Sequence, residues 1–177
     1  MNEKTLIDLC KNGNREALER IISDNYPIVK GYLIKITLNE HLAEDLTQDC
    51  FIRALDNIKK YSPNGKLSTW LITIANNLYY DYLRKNRKIV LGLEMEEDIQ
   101  SVEENFEDRL ELKEIANVIS LLPYEKRTAF ILKHYYGYKY EEIAQILKCP
   151  IGTVKSRIFS AIELIQKKLE GDETDEK

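Results

Sequence analysis

The chain has 177 residues, 44% of them apolar and 32% charged, which leaves room for one compact domain or two small ones and excludes wholesale disorder. Seven Gly and four Pro exclude a collagen-like or proline-rich chain, and the net charge of −4 at pH 7 argues weakly against a nucleic-acid partner if it is spread evenly. It is uneven: residues 1–90 carry +3, 91–112 carry −8, 113–169 carry +5 and 170–177 carry −4. Two mildly basic blocks are thus separated by an acidic strip and followed by an acidic tail.

The amino terminus is charged where a signal peptide needs its apolar stretch, and no run approaches the roughly 18 apolar residues of a membrane span, so the expected location is the cytoplasm. Cys10, Cys50 and Cys149 lack paired ligand spacing and read as reduced structural thiols.

The periodicity is helical nearly everywhere, and the expected fold class is all-α, two small helical domains joined by an acidic linker. Leu6, Leu9 and Cys10 recur at three-and-four spacing. After Gly13 and Asn14 a second run offers Ala17, Leu18, Ile21 and Ile22. Pro27 is expected to interrupt or restart the helix, beyond which Val29, Tyr32, Leu33 and Ile36 make another stripe. Asn39 can cap the next helix, whose buried side is predicted to be Leu42, Ala43, Leu46, Cys50, Ile52, Leu55 and Ile58. The turn at 62–66 precedes a long helix starting at Ser68 or Thr69, with Leu71, Ile74, Ala75, Leu78, Tyr82 and Leu83 facing inward. That helix ends in Arg84, Lys85, Asn86, Arg87 and Lys88. Cations at a helix C-terminus are favoured by the macrodipole alone, but here Asn76, Asn77, Tyr79 and Tyr80 lie just upstream, so bases can stack or bond where phosphates are held.

Residues 91–111 hold nine acidic side chains with weak periodicity and read as a flexible linker that repels phosphate. From 112 the helical pattern returns in Leu112, Ile115, Ala116, Ile119, Leu121 and Leu122, then Pro123 at a helix start, then Ala129, Phe130 and Leu132 up to Gly137. Two short helices follow. The first buries Ile143, Ala144 and Leu147; the second buries Val154, Ile158, Ala161, Ile165 and Leu169, with Ile151 in the turn between them. This is a helix-turn-helix pattern.

The second of these helices leaves Thr153, Lys155, Ser156, Arg157, Phe159 and Ser160 outside its buried stripe. Thr153 and the unpartnered N–H groups at the helix start can meet a phosphate, Lys155 and Arg157 a phosphate or guanine, and Phe159 a thymine methyl group. Enzyme chemistry has little support: His41 and His134 lack metal-ligand spacing, and the sequence carries no Walker loop, nucleophile elbow or HExxH. No catalytic residue, metal site or cofactor is expected. Asp45 and Asp49 share a helix face that reads as solvated or partner-binding.

Four segments in this order carry a resemblance: AEDLTQDCFIRALDNI at 43–58, KLSTWLITIANNLYYDYLRKNRK at 66–88, LPYEKRTAFILKHYYGYKYEEIAQIL at 122–147 and PIGTVKSRIF at 150–159. Together they resemble the bacterial RNA polymerase sigma factors of the extracytoplasmic-function (ECF) group. The resemblance implies an alternative sigma factor, with a core-polymerase and minus-ten promoter-binding domain at 1–90, the linker at 91–111, a helix-turn-helix DNA-binding domain at 112–170 and a tail at 171–177. It places Asp45, Leu46, Gln48, Asp49, Phe51 and Arg53 on the element that binds the clamp coiled coil of the polymerase's largest subunit. Trp70 supports the minus-ten surface from within, while Asn77, Tyr80 and the cluster Arg84, Lys85, Arg87 and Lys88 match positions near the melted strand. A base extruded beside this helix would couple recognition to strand opening. Lys155, Ser156, Arg157 and Phe159 match the helix that reads the minus-thirty-five element. The implied partners are core RNA polymerase, promoter DNA and an anti-sigma factor that is often membrane-anchored, and the implied role is a stress response.

One departure stands out: many relatives continue that helix with basic residues where this chain has Ser160, Ala161 and Ile162. A one-component helix-turn-helix regulator is the competing reading, which would call for a sensor or dimerisation domain in place of the first domain.

Overall fold

The computed structural model describes residues 2–62, 65–90 and 116–172, with the side chains of 87–90 and 170–172 left out of the description. The chain divides into two compact units, Met1–Gln100 and Ser101–Lys177. Every regular element among the described residues is helical. The predicted linker at 91–111 lies outside the described residues, and so does the acidic tail beyond Asp172.

In the first unit α1 (Glu3–Lys11), α2 (Arg15–Thr37), α3 (Glu40–Asn57) and α4 (Leu67–Val90) form a bundle, with a 3-10 turn at Ile58–Lys60. Asparagine side chains open three of the helices. Asn2, Asn14 and Asn39 each accept a hydrogen bond from the third N–H onward, at 2.8, 2.8 and 2.9 Å. The start of α4 is capped from a distance: the Leu67 N–H donates to Glu3 Oε1 at 3.2 Å, tying α1 to it. The helices α2, α3 and α4 pack on one another and α1 packs on α2. Their shared core holds Val29, Leu33, Ile36, Cys50, Leu71, Ile72 and Ala75, all but out of water.

Three expectations need correction in this unit. Pro27 does not break the helix: α2 runs unbroken through it. Pro27 and Ser23 are both exposed, so the Ser23 carbonyl that loses its N–H donor faces water. On α3, Ile52 is 60% exposed while Phe51 is buried. At 100° per residue Ile52 stands nearly opposite Cys50, whereas Phe51 lies on the flank of the buried stripe. On α4, Tyr82 is 38% exposed, one turn past the buried Tyr79 on whose ring it stacks, and Ile72 is an inward residue that the stripe omitted.

In the second unit a helical segment at 116–120 leads to α5 (Tyr124–His134), α6 (Tyr140–Leu147) and α7 (Ile151–Asp172). The last helix runs two residues into the expected tail. It packs against both α5 and α6. Val154, Ile158, Ala161 and Ile165 are buried as predicted, against Leu132, Ile143 and Ile146. Val118 and Leu122 close the other end of this core, while Leu121 is exposed, contrary to expectation. The buried Arg127 reaches back from α5 and donates to the carbonyls of Ser120 and Leu122 at 2.8 and 3.2 Å. Its guanidinium thereby satisfies carbonyls that the end of the 116–120 helix leaves without partners.

Candidate partner and nucleic-acid interfaces

On α3 the predicted residues separate by depth. Asp45, Gln48, Asp49 and Arg53 are exposed, and Ile52 joins them as the apolar centre of the same face. Leu46 and Phe51 are buried and support that face from beneath. Phe51 stacks on Tyr26 of α2, ring centroids 5.9 Å apart. Next to it Glu44 accepts hydrogen bonds from Tyr26 and from Lys30, the latter at 2.8 Å, so α3 is pinned to α2 along its first half. The Lys30 bond, then the Tyr26 bond, hold the Glu44 carboxyl down to about 2.

On α4 the predicted cluster also splits. Asn76 and Tyr79 are buried, and Asn76 Oδ1 accepts a hydrogen bond from the buried Tyr32 hydroxyl at 3.0 Å. Contrary to expectation both are withdrawn from the surface, Asn76 into the core between α2 and α4. Asn77 is half-buried and Tyr80 is 53% exposed, followed by the exposed Arg84 and Lys85. Arg84 pairs with Asp81 at 3.2 Å. The side chains of Arg87 and Lys88 lie outside the described residues.

Trp70 is half-buried and packs its ring on Tyr61, centroids 4.5 Å apart. With Arg53, Asn57, Lys60 and Ile74 these rings line a shallow cleft between α3 and α4. Tyr61, Asn57 and Lys60 had no motif to single them out; the cleft arises where the 3-10 turn brings Tyr61 beside Trp70.

On α7 the predicted face stands opposite the buried stripe. Lys155, Ser156 and Phe159 are exposed, Phe159 by 63%, while Thr153, Arg157 and Ser160 are half-buried. The Ser156 hydroxyl donates to the Thr153 carbonyl at 3.0 Å, and the Arg157 guanidinium lies 3.7 Å from the Cys149 thiol in the preceding turn. Lys148 takes the left-handed conformation there, φ 50°, which turns the chain from α6 into α7.

The described residues contain no helix long and apolar enough to cross a membrane and no His, Cys, Asp and Glu grouping that could hold a metal ion.

Two helical units, the second a helix-turn-helix, with a solvated acidic face on one and a basic-aromatic surface on each, describe a transcription-initiation subunit, and the comparisons with known proteins agree. Residues 21–89 match the family model for sigma-70 region 2, and residues 112–165 that for sigma-70 region 4. The ECF RNA polymerase sigma factor SigW of Bacillus subtilis is 34% identical over 94% of this chain and 96% of its own length. The ECF sigma-E factor of Escherichia coli K12 is 30% identical over 96% and 95%. Among solved structures, the sigma factor RpoE of Bartonella quintana, crystallised with the anti-sigma factor NepR, is 28% identical. It superimposes with a TM-score of 0.75 over 86% of this chain and 96% of its own. CnrH, at 20% identity and TM-score 0.70 over 96% and 98%, shares the fold. The chain belongs to the ECF RNA polymerase sigma factors, which bind RNA polymerase and direct promoter recognition.

Proposed function

We propose that this sigma factor divides its work among three faces. Asp45, Gln48, Asp49, Ile52 and Arg53 on α3 seat the clamp coiled coil of the polymerase. Asn77, Tyr80, Arg84 and Lys85 on α4, with Arg87 and Lys88 beyond them, engage the melted minus-ten strand. Trp70 and Tyr61 offer an extruded base an aromatic floor in the cleft beside α4. Lys155, Ser156, Arg157 and Phe159, with Thr153 and Ser160 at the margins, read the upstream element in the major groove.

The observation that carries this reading is the two-sidedness of α7: Val154, Ile158, Ala161 and Ile165 are committed to the core while Lys155, Ser156 and Phe159 stand in water. A phenylalanine so exposed beside a lysine and a hydroxyl suits base edges and phosphates. With Ser160 in place of a long cation, fewer contacts hold the duplex, and affinity leans more on polymerase. Family likeness also supports an anti-sigma partner that covers one or more of these faces.

Reconstitution with core polymerase on randomised promoter libraries tests the assignment. Phe159→Ala should flatten discrimination among upstream elements. Asn77→Ala with Tyr80→Ala should reduce strand opening on duplex promoters more than on templates with a pre-melted bubble, because the bases involved become available only on melting. Unchanged upstream ranking, or equal losses on both templates, defeats the corresponding part.

A further inference from the structure

Each of the other three helices of the first unit reaches α4 with a polar contact, at successive heights. The Leu67 N–H donates to Glu3 of α1 at 3.2 Å, the Cys50 thiol of α3 donates to the Leu71 carbonyl at 3.4 Å, and the Tyr32 hydroxyl of α2 donates to Asn76 Oδ1 at 3.0 Å. The first two end on backbone atoms of α4, which stay in place whatever side chain stands at 67 or 71. Of the three, the third alone depends on a side chain of α4.

That contact is sealed from water. Tyr32 is fully buried and Asn76 is 5% exposed, in a core that also holds Leu33, Ile72 and Ala75. Stability alone does not call for a polar pair there, because replacing both partners of a buried hydrogen bond by apolar groups of the same shape is close to neutral or stabilising. What the pair adds is direction. A hydroxyl and an amide meet in one rotation of the helix, whereas apolar side chains tolerate small slips.

Direction matters because α4 carries two asparagines in succession. Asn77 lies about 100° and Tyr80 about 40° round the helix from Asn76, in the same sense. Asn77 is half-buried and Tyr80 is 53% exposed. By drawing Asn76 into the core, Tyr32 decides which of two amides reaches the surface. A rotation of α4 by about 20° would carry a side-chain tip about 5–6 Å from the axis through about 2 Å, enough to misplace a base contact.

We propose that Tyr32 and Asn76 form a register lock that fixes the rotation of α4 and thereby aims Asn77 and Tyr80 at the melted minus-ten strand. Both are positioning residues, acting through Asn77 and Tyr80 from within the core. The proposal rests on the minus-ten assignment of α4.

The test uses the full chain in holoenzyme. Opening is read from the time course of permanganate reactivity at promoter thymines, and urea unfolding and core affinity are measured alongside. Tyr32→Phe removes only the hydroxyl, and Tyr32→Phe with Asn76→Leu makes the site apolar at nearly the same volume. Both should open duplex promoters about tenfold more slowly, with a smaller deficit on templates with a pre-melted bubble. Core affinity should stay at the wild-type level, and the double variant should keep the wild-type urea midpoint while Tyr32→Phe alone loses part of it. If Tyr32→Phe opens promoters slowly and the double variant opens them normally, the loss came from an amide short of a donor, and the lock is wrong. Opening that falls only in step with the urea midpoint or with core affinity is a packing effect and overturns it as well. Normal opening in both variants, with Asn77→Ala and Tyr80→Ala together still defective, overturns the lock and spares the minus-ten face. Normal opening in that pair too overturns both.

Discussion

Phe51 and Ile52 are chain neighbours of similar hydrophobicity on one helix, and their removal should have opposite consequences. Phe51 is only 6% exposed and stacks on Tyr26, so Phe51→Ala deletes a ring from the junction of α2 and α3. Emptying such a site costs about 3–5 kcal/mol. For a unit of this size, with a urea dependence of about 2 kcal/mol/M, the unfolding midpoint should fall by roughly 1.5–2.5 M. Ile52→Ala removes a side chain that is mostly in water, and stability should move by less than about 0.5 kcal/mol. As an anchor on polymerase, however, it should cost about 1–3 kcal/mol of binding, a loss of roughly 5- to 150-fold. The chain's single tryptophan, Trp70, lies in this unit and packs on Tyr61, so its fluorescence during urea titration follows the first unit without interference from the second. Core affinity is read separately by titrating labelled protein into polymerase under native conditions. The reasoning fails if Ile52→Ala shifts the urea midpoint as far as Phe51→Ala does, and the polymerase face is misplaced if Ile52→Ala, Asp49→Ala and Arg53→Ala all bind core normally.

Glu3→Ala removes the distant cap of α4 and should cost about 0.5–2 kcal/mol, with faster hydrogen exchange at the Leu67 amide; exchange no faster than wild type would show that the cap is idle. Lys148→Gly relieves a side chain in the left-handed region and should raise the melting temperature of the second unit slightly, a gain of up to about 1 kcal/mol; a fall in thermal scans would count against strain there. Glu44, held at about 2 against an ordinary 4.5, lends stability that is complete above about pH 4.5 and fades as the pH falls towards 2. Wild type should therefore lose more stability than Glu44→Gln between pH 5 and 2.5, and parallel acid titrations of the two would refute the bridge.

Much of this architecture is written in short-range signals. Asn39 announces α3 because an asparagine before an amphipathic run can satisfy an orphan N–H, and the Val154–Ile165 stripe announces α7 because its spacing leaves one side to bury. Both depend on residues within a few turns. The misassigned residues depend on partners far along the chain. Phe51 and Ile52 are equally apolar; helical phase sets Ile52 opposite Cys50, and Tyr26, 25 residues before Phe51, completes the cover over the flank that Phe51 occupies. Asn76 looks like a surface amide until Tyr32, 44 residues earlier, provides a buried hydroxyl for it. Pro27 differs: its effect was a matter of solvent access to Ser23, which periodicity alone does not weigh.

Arg127 has a mechanical consequence. Its guanidinium keeps its charge at any pH a protein survives, so when the carbonyls of Ser120 and Leu122 are pulled away the group cannot escape by losing a proton. Peeling the 116–120 segment from α5 therefore breaks charge-assisted hydrogen bonds that only water can replace, which costs more than fraying an ordinary helix end. That segment is therefore fastened to α5 by a charged contact as well as by Val118 and Leu122 in the core.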